Sequence, residues 1–192
     1  MDFVSGAKGP VVIGHSWVTR LKVSGLLPSY FSFIDLPGGT FDRLATIIER
    51  FPTHQETDYV FLILGGNDVD DTWDLSEIDE LYTKCENLVL LLRAVFPYAK
   101  LIIAQVEDRY KSRSLVGRRR VLALDLDFKR KGNKYNKWLN KFSNKEGIFA
   151  LKGRNFFSPS CWYEQDGVHL NHAGMVKLST MLSGYYANKL AG

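Results

Sequence analysis

Four short blocks carry the residues that could do chemistry. They are Gly14-His15-Ser16-Trp17, Pro37-Gly38-Gly39-Thr40, Gly65-Gly66-Asn67-Asp68 and Asp166-Gly167-Val168-His169-Leu170-Asn171. Acyl transfer needs a nucleophile, a base, an acid that orients the base, and donors for a developing oxyanion. Ser16 supplies a hydroxyl, His169 a base, and Asp166 a carboxylate able to hold the imidazole tautomer and stabilise the imidazolium. The three-residue spacing from Asp166 to His169 suits a tight turn in which both side chains face the same way. The backbone N–H of Ser16, a backbone N–H from the glycine pair at Gly39 and the side-chain amide of Asn67 would form the oxyanion hole. Taken singly, each block has a plainer reading. Glycines after strands make turns, a serine at a helix start is an N-cap, and a loop histidine is a hydrogen-bonder.

Positioning these blocks requires strands that end where they begin. Val11–Ile13, Phe33–Leu36, Tyr59–Leu64, Leu101–Ala104 and 147–150 read as short apolar strands. Longer helical patterns alternate with them at 40–51, 76–96, 129–144 and 172–190, the last capped by Asn171. Alternation of this kind predicts an α/β fold, a three-layer α/β/α sandwich around a five-stranded parallel sheet. Ligands of such sheets sit beyond the carboxyl ends of the strands, where the first three blocks fall. The connection from Val106 to Phe128 is long for such a unit and reads as a lid, an insertion or a mobile segment.

The four blocks, in this order, resemble the SGNH (GDSL-type) hydrolase superfamily, from about Val11 to Leu190. Its four letters are matched by Ser16, Gly39, Asn67 and His169. The resemblance implies the flavodoxin-like sheet order 2-1-3-4-5 and esterase or lipase chemistry on an acyl ester, without a metal or other cofactor. It departs at one place: His15 stands where the family has Asp. The Gly-His-Ser form also resembles the SGNH-like esterase domain of animal LINE-type retroelements.

At 192 residues the chain is long enough for one domain with a proper core. Two cysteines are too few for a disulfide framework, and His15, His54, His169 and His172 lack zinc-ligand spacing. The acidic run Asp68, Asp70, Asp71 and Asp74 reads as a solvated loop, since it lacks the glycine and glutamate of a calcium loop. No apolar run is long enough to span a membrane and the first ten residues do not form a signal peptide, so an intracellular protein is expected. A flavodoxin-like cofactor protein is disfavoured, because no phosphate cradle follows the first strand.

Charge points to a second class of function. Residues 101–160 hold 15 Lys+Arg against 5 Asp+Glu, a local +10 inside a chain of net charge +4. Arg130, Lys134, Lys137, Lys141 and Lys145 share one helix face, either a solvated surface or part of a phosphate track. With Arg118, Arg119 and Arg120, and the loop residues Arg109, Lys111 and Arg113, they would contact RNA or DNA, with Tyr110 placed to stack on a base.

Overall fold

A computed structural model describes residues 9–52, 56–116, 119–151 and 160–190. Its core is a five-stranded parallel sheet of β1 (Val11–Gly14), β2 (Ser32–Asp35), β3 (Tyr59–Ile63), β4 (Lys100–Ala104) and β7 (Phe149–Leu151), in the order β2-β1-β3-β4-β7. The order is the expected one, with the fifth sheet strand seventh along the chain. Two extra strands intervene, β5 (Tyr110–Val116) and β6 (Arg119–Leu124), which pair antiparallel as a separate ribbon. Of the readings of the long connection after Val106, the insertion is the one the structure shows, and it is a hairpin.

The strands are apolar on both sides because both faces are covered. Alternate residues point opposite ways. Val11, Ile13, Val60, Leu62, Leu101 and Ile103 pack with α2 (Phe41–Ile48), α4 (Ile78–Val95) and α5 (Leu126–Glu146). Val12, Phe61, Ile63 and Ile102 pack with α1 (Ser16–Ser24) and α6 (His172–Leu190) on the other face. Fully buried Leu44, Leu88, Leu92 and Leu139 anchor the first layer, and Leu21 and Leu182 the second. Each such side chain contributes about 1.5–3 kcal/mol.

Helix limits follow local chemistry. Thr40 caps α2 by accepting the Arg43 N–H, and Asn171 Oδ1 accepts the Gly174 N–H at the start of α6. A six-residue helix, α3 (Gly66–Asp71), begins directly after the glycine pair. The acidic run is therefore partly helical: Asp68 is buried and Asp70 pairs with Arg109, which corrects its reading as a solvated loop. Among the described residues no helix is long and apolar enough to cross a membrane.

Candidate active site

Strand β1 ends at Gly14, and the chain turns at His15 into α1, making Ser16 the first helical residue. The cap of this helix is His15, whose Nδ1 accepts the Trp17 N–H at 3.4 Å. With Nδ1 accepting, the proton of a neutral His15 sits on Nε2. Burial, the nearby Arg109 guanidinium and His169 push the His15 pKa down to about 3, so it is neutral at any ordinary pH. His15 thus does the capping work that a carboxylate would do there, without adding a charge. Ser16 is left as a half-buried residue whose backbone N–H has, by position, no intrahelical acceptor.

The second block closes a tight turn after β2. Pro37 and Gly38, with φ of +64° at Gly38, give the pattern of a type II turn, and the Gly39 N–H donates to Leu36 O at 2.7 Å. As an oxyanion donor, Gly39 would have to share that N–H. Its carbonyl is engaged elsewhere, accepting from Asn67 Nδ2 at 3.0 Å. The Asn67 Oδ1 accepts from Arg109 Nη2 at 2.8 Å. Both ends of the amide are thereby assigned, and Nδ2 retains a second N–H for a ligand.

Asp68 ties the second and third blocks together. Its Oδ1 accepts the Phe41 N–H at 2.9 Å, while Oδ2 is buried with no hydrogen-bond partner among the described residues. Burial pushes its pKa up to about 6, against the lowering effect of the Phe41 N–H. A carboxyl raised in the fold destabilises it once ionised. The penalty is absent below the unfolded pKa near 4 and complete above about 6. Asp68→Asn keeps the acceptor for Phe41 and removes the titration. Its stability relative to wild type should therefore improve by up to about 3 kcal/mol between pH 4 and 7. Urea unfolding across that range would read this, and parallel curves for the two proteins would refute it.

The fourth block is a self-contained turn. Asp166 Oδ1 accepts the N–H groups of Val168 at 2.8 Å and His169 at 2.9 Å, and Oδ2 meets His169 Nδ1 at 2.7 Å. Partial burial works to raise the Asp166 pKa, but the His169 and Val168 hydrogen bonds outweigh it and hold the carboxyl below the usual range. Nδ1 of His169 therefore carries the proton, and Nε2 is the free base. Gly167 sits at φ +72°, and a Cβ there would lie 2.1 Å from Tyr110 O, so only glycine fits.

The turn is docked on α1 from several directions. Trp17 Nε1 donates to Val168 O at 3.1 Å, and Arg20 pairs with Glu164. These contacts bring the Asp166–His169 pair to the helix that starts at Ser16. Among the described residues no hydrogen bond joins Ser16 to His169 themselves. Such bonds are often long before substrate binds.

A small cavity of about 50 Å³ opens at these strand ends. His15, Ser16, Asn67 and Arg109 line its polar side, and Leu151, Leu178 and Met181 its apolar side. Among the described residues no group of three or more His, Cys, Asp or Glu side chains could hold a metal ion.

Solved structures share this architecture. A GDSL-like lipase from Bacteroides thetaiotaomicron superposes with a TM-score of 0.71 at 15% identity, covering 97% of this chain and 91% of that one. The fold is shared with GDSL-type lipases. A phospholipase A1 from Streptomyces albidoflavus (TM-score 0.67, 17% identity, 93% and 99% covered) and the M. smegmatis aryl esterase (0.67, 14%, 95% and 99%) agree. No family model and no curated protein matches the sequence.

Several cations of the basic segment already have partners. Arg109 points into the site rather than outward, Lys111 pairs with Asp125 at 2.6 Å, and Tyr110 is buried. Arg130 pairs with Asp127 at 3.2 Å and Lys134 with Asp79 at 2.7 Å. Arg118 and His54 lie outside the described residues, as do the side chains of Arg113, Arg119 and Arg120. The reach of Arg109 to Asn67, the cap at His15 and the buried Asp68 had no signal in the sequence beyond their residue types.

Proposed function

We propose that this chain is a serine ester hydrolase of the SGNH type that acts on short acyl esters. The observation that carries this reading is the Asp166–His169 hydrogen bond of 2.7 Å, in a turn packed against the helix that begins at Ser16. Ser16 Oγ attacks the ester carbonyl while His169 Nε2 takes its proton. The tetrahedral oxyanion accepts from the Ser16 N–H and the free N–H of Asn67, with Gly39 N–H joining if it shares its turn bond. Collapse expels the alcohol, which takes the proton back from His169, and water repeats the sequence on the acyl-enzyme. No metal is needed for any step.

The cavity supports a short acyl group. At about 50 Å³ it holds only a few water-sized groups, each needing about 10–15 Å³, which suits an acyl group such as acetyl or propionyl. A series of p-nitrophenyl acetate, butyrate and octanoate on wild type and Ser16→Ala tests both parts. Ser16-dependent turnover that falls from acetate to octanoate is expected. A preference for octanoate would overturn the short-acyl assignment, and turnover equal in the two proteins would overturn the hydrolase. Within this class, the Gly-His-Ser block favours a protein of a LINE-type retroelement.

One feature supports a second reading as a nucleic-acid binder. A groove between α4 and α5 is lined by Tyr82, Lys134, Lys137, Trp138 and Lys141, with Tyr82 and Trp138 stacked at 4.5 Å. Arg130 and Lys134 have carboxylate partners, so Lys137 and Lys141 are, among the described residues, the groove cations without one. Two such contacts predict a slope of log K against log salt of about −1.4 for single strands. A fluorescence titration with a labelled oligonucleotide would measure it. Absence of binding at ~50 mM salt removes this reading, and a slope beyond about −3 would require further cations such as Arg118–Arg120.

A further inference from the structure

Arg109 stands at the base of the hairpin insertion and reaches back into the site. Its side chain is only 14% exposed. One nitrogen, Nη2, donates to Asn67 Oδ1 at 2.8 Å, and the other, Nη1, pairs with Asp70 on α3. The guanidinium lies 4.7 Å from the centre of the Phe128 ring, which covers one of its faces. The backbone around it is equally fixed. Arg109 O accepts the Asp125 N–H at 2.8 Å, Tyr163 Oη donates to Asp108 O at 2.9 Å, and the Tyr110 N–H donates to Gly167 O at 3.0 Å. The insertion therefore touches both Asn67, which lines the cavity, and the Asp166–His169 turn.

We propose that Arg109 is a positioning residue that fixes the orientation of the Asn67 amide, so that an N–H and not the carbonyl oxygen faces the reacting oxyanion. This rests on the ester-hydrolase reading. A side-chain amide has two nearly isosteric orientations, and the hydrogen bonds around it decide between them. Here the decision is made at both ends: the cation takes Oδ1, and Gly39 O takes one N–H of Nδ2 at 3.0 Å. Without the guanidinium, Oδ1 loses its donor and Gly39 O alone holds the amide, so orientations that set the carbonyl dipole against the developing negative charge become populated. The loss would fall on the transition state, which carries that charge, and not on the neutral ester. It should therefore appear in kcat and leave KM alone.

The test uses Arg109→Ala and Arg109→Met, alone and combined with Asn67→Ala, on p-nitrophenyl acetate. Met keeps an unbranched stem against Phe128 and removes every donor, which guards against a folding defect in the alanine variant. Removing an oxyanion donor costs about 10²–10³ in kcat, and losing only its orientation should cost less, about 10–100-fold, with KM within about threefold. In the Asn67→Ala background the same substitutions should change kcat by less than about threefold, because there is no amide left to orient. An undiminished kcat in the Arg109 variants, or an equal fall with and without Asn67, would overturn the proposal. Wild-type turnover no greater than that of Ser16→Ala would instead overturn the hydrolase reading. In that case the Asn67 side-chain amide signals in a ¹⁵N spectrum still decide the contact. They should shift and broaden in Arg109→Met, and identical signals would overturn the assignment.

Discussion

Ser16→Ala is expected to lower kcat/KM on p-nitrophenyl acetate by about 10⁴–10⁶, with the unfolding temperature unchanged. The second half of that expectation distinguishes a nucleophile from a helix cap. A serine at a helix start is most often a cap, and replacing a capping serine costs about 1 kcal/mol with no reason for a change in rate. In this chain the cap is the preceding residue: His15 Nδ1 accepts the Trp17 N–H, and Ser16 is the first residue of the helix proper. Among the described residues its hydroxyl closes no turn, so its loss costs the helix nothing. What the position offers instead is a hydroxyl at the positive end of α1, beside a backbone N–H that the helix leaves free. A stability loss of about 1 kcal/mol with unchanged turnover would return Ser16 to the capping role and leave the site without a nucleophile. Turnover is read by release of p-nitrophenol and stability by thermal unfolding of the same preparations.

What could be read in the sequence was whatever is local. The strands are short, mostly apolar runs of three to six residues because the parallel sheet is covered on both sides, and that pattern is visible in Tyr59–Leu64 without any knowledge of neighbours. The Asp166–His169 pair is legible for the same reason. A spacing of three within one turn fixes both side chains, and Asp166 itself supplies the acceptor that closes the turn. Contacts made across large separations leave no such trace. Arg109 and Asn67 are 42 residues apart, and nothing in either neighbourhood announces the other. Counting charge along the chain treated Arg109, Arg130 and Lys134 as free cations, because the carboxylates that neutralise them, Asp70, Asp127 and Asp79, are found only in three dimensions or one helical turn away. The same blindness placed Asp68 in solvent. Its neighbours are acidic, but the helix they form turns Asp68 toward the Phe41 N–H and away from water. The hairpin was hidden because a two-stranded ribbon outside the main sheet buries too little to impose a continuous apolar run on its sequence.

The second large effect is at Asp166, where two substitutions separate orientation from folding. Asp166 Oδ1 closes the turn by accepting the Val168 and His169 N–H groups, while Oδ2 alone faces the imidazole. Asp166→Asn keeps an oxygen for the turn and presents an NH₂ to the imidazole. A donor opposite Nδ1 forces the ring into the other tautomer, with its proton on Nε2, where it can no longer accept from Ser16. The expected result is a fall in kcat of about 10³–10⁴ with thermal stability close to wild type. Asp166→Ala removes both oxygens. It should match the rate loss of the asparagine variant and also lower stability by about 0.5–2 kcal/mol, the cost of losing a side chain that satisfies backbone donors at a turn. If the two variants lose rate in proportion to stability, Asp166 serves the turn alone and His169 needs no orienting acid. If the asparagine variant loses rate at full stability, the carboxylate acts on the imidazole itself. The separate roles of its two oxygens make the second outcome the expected one.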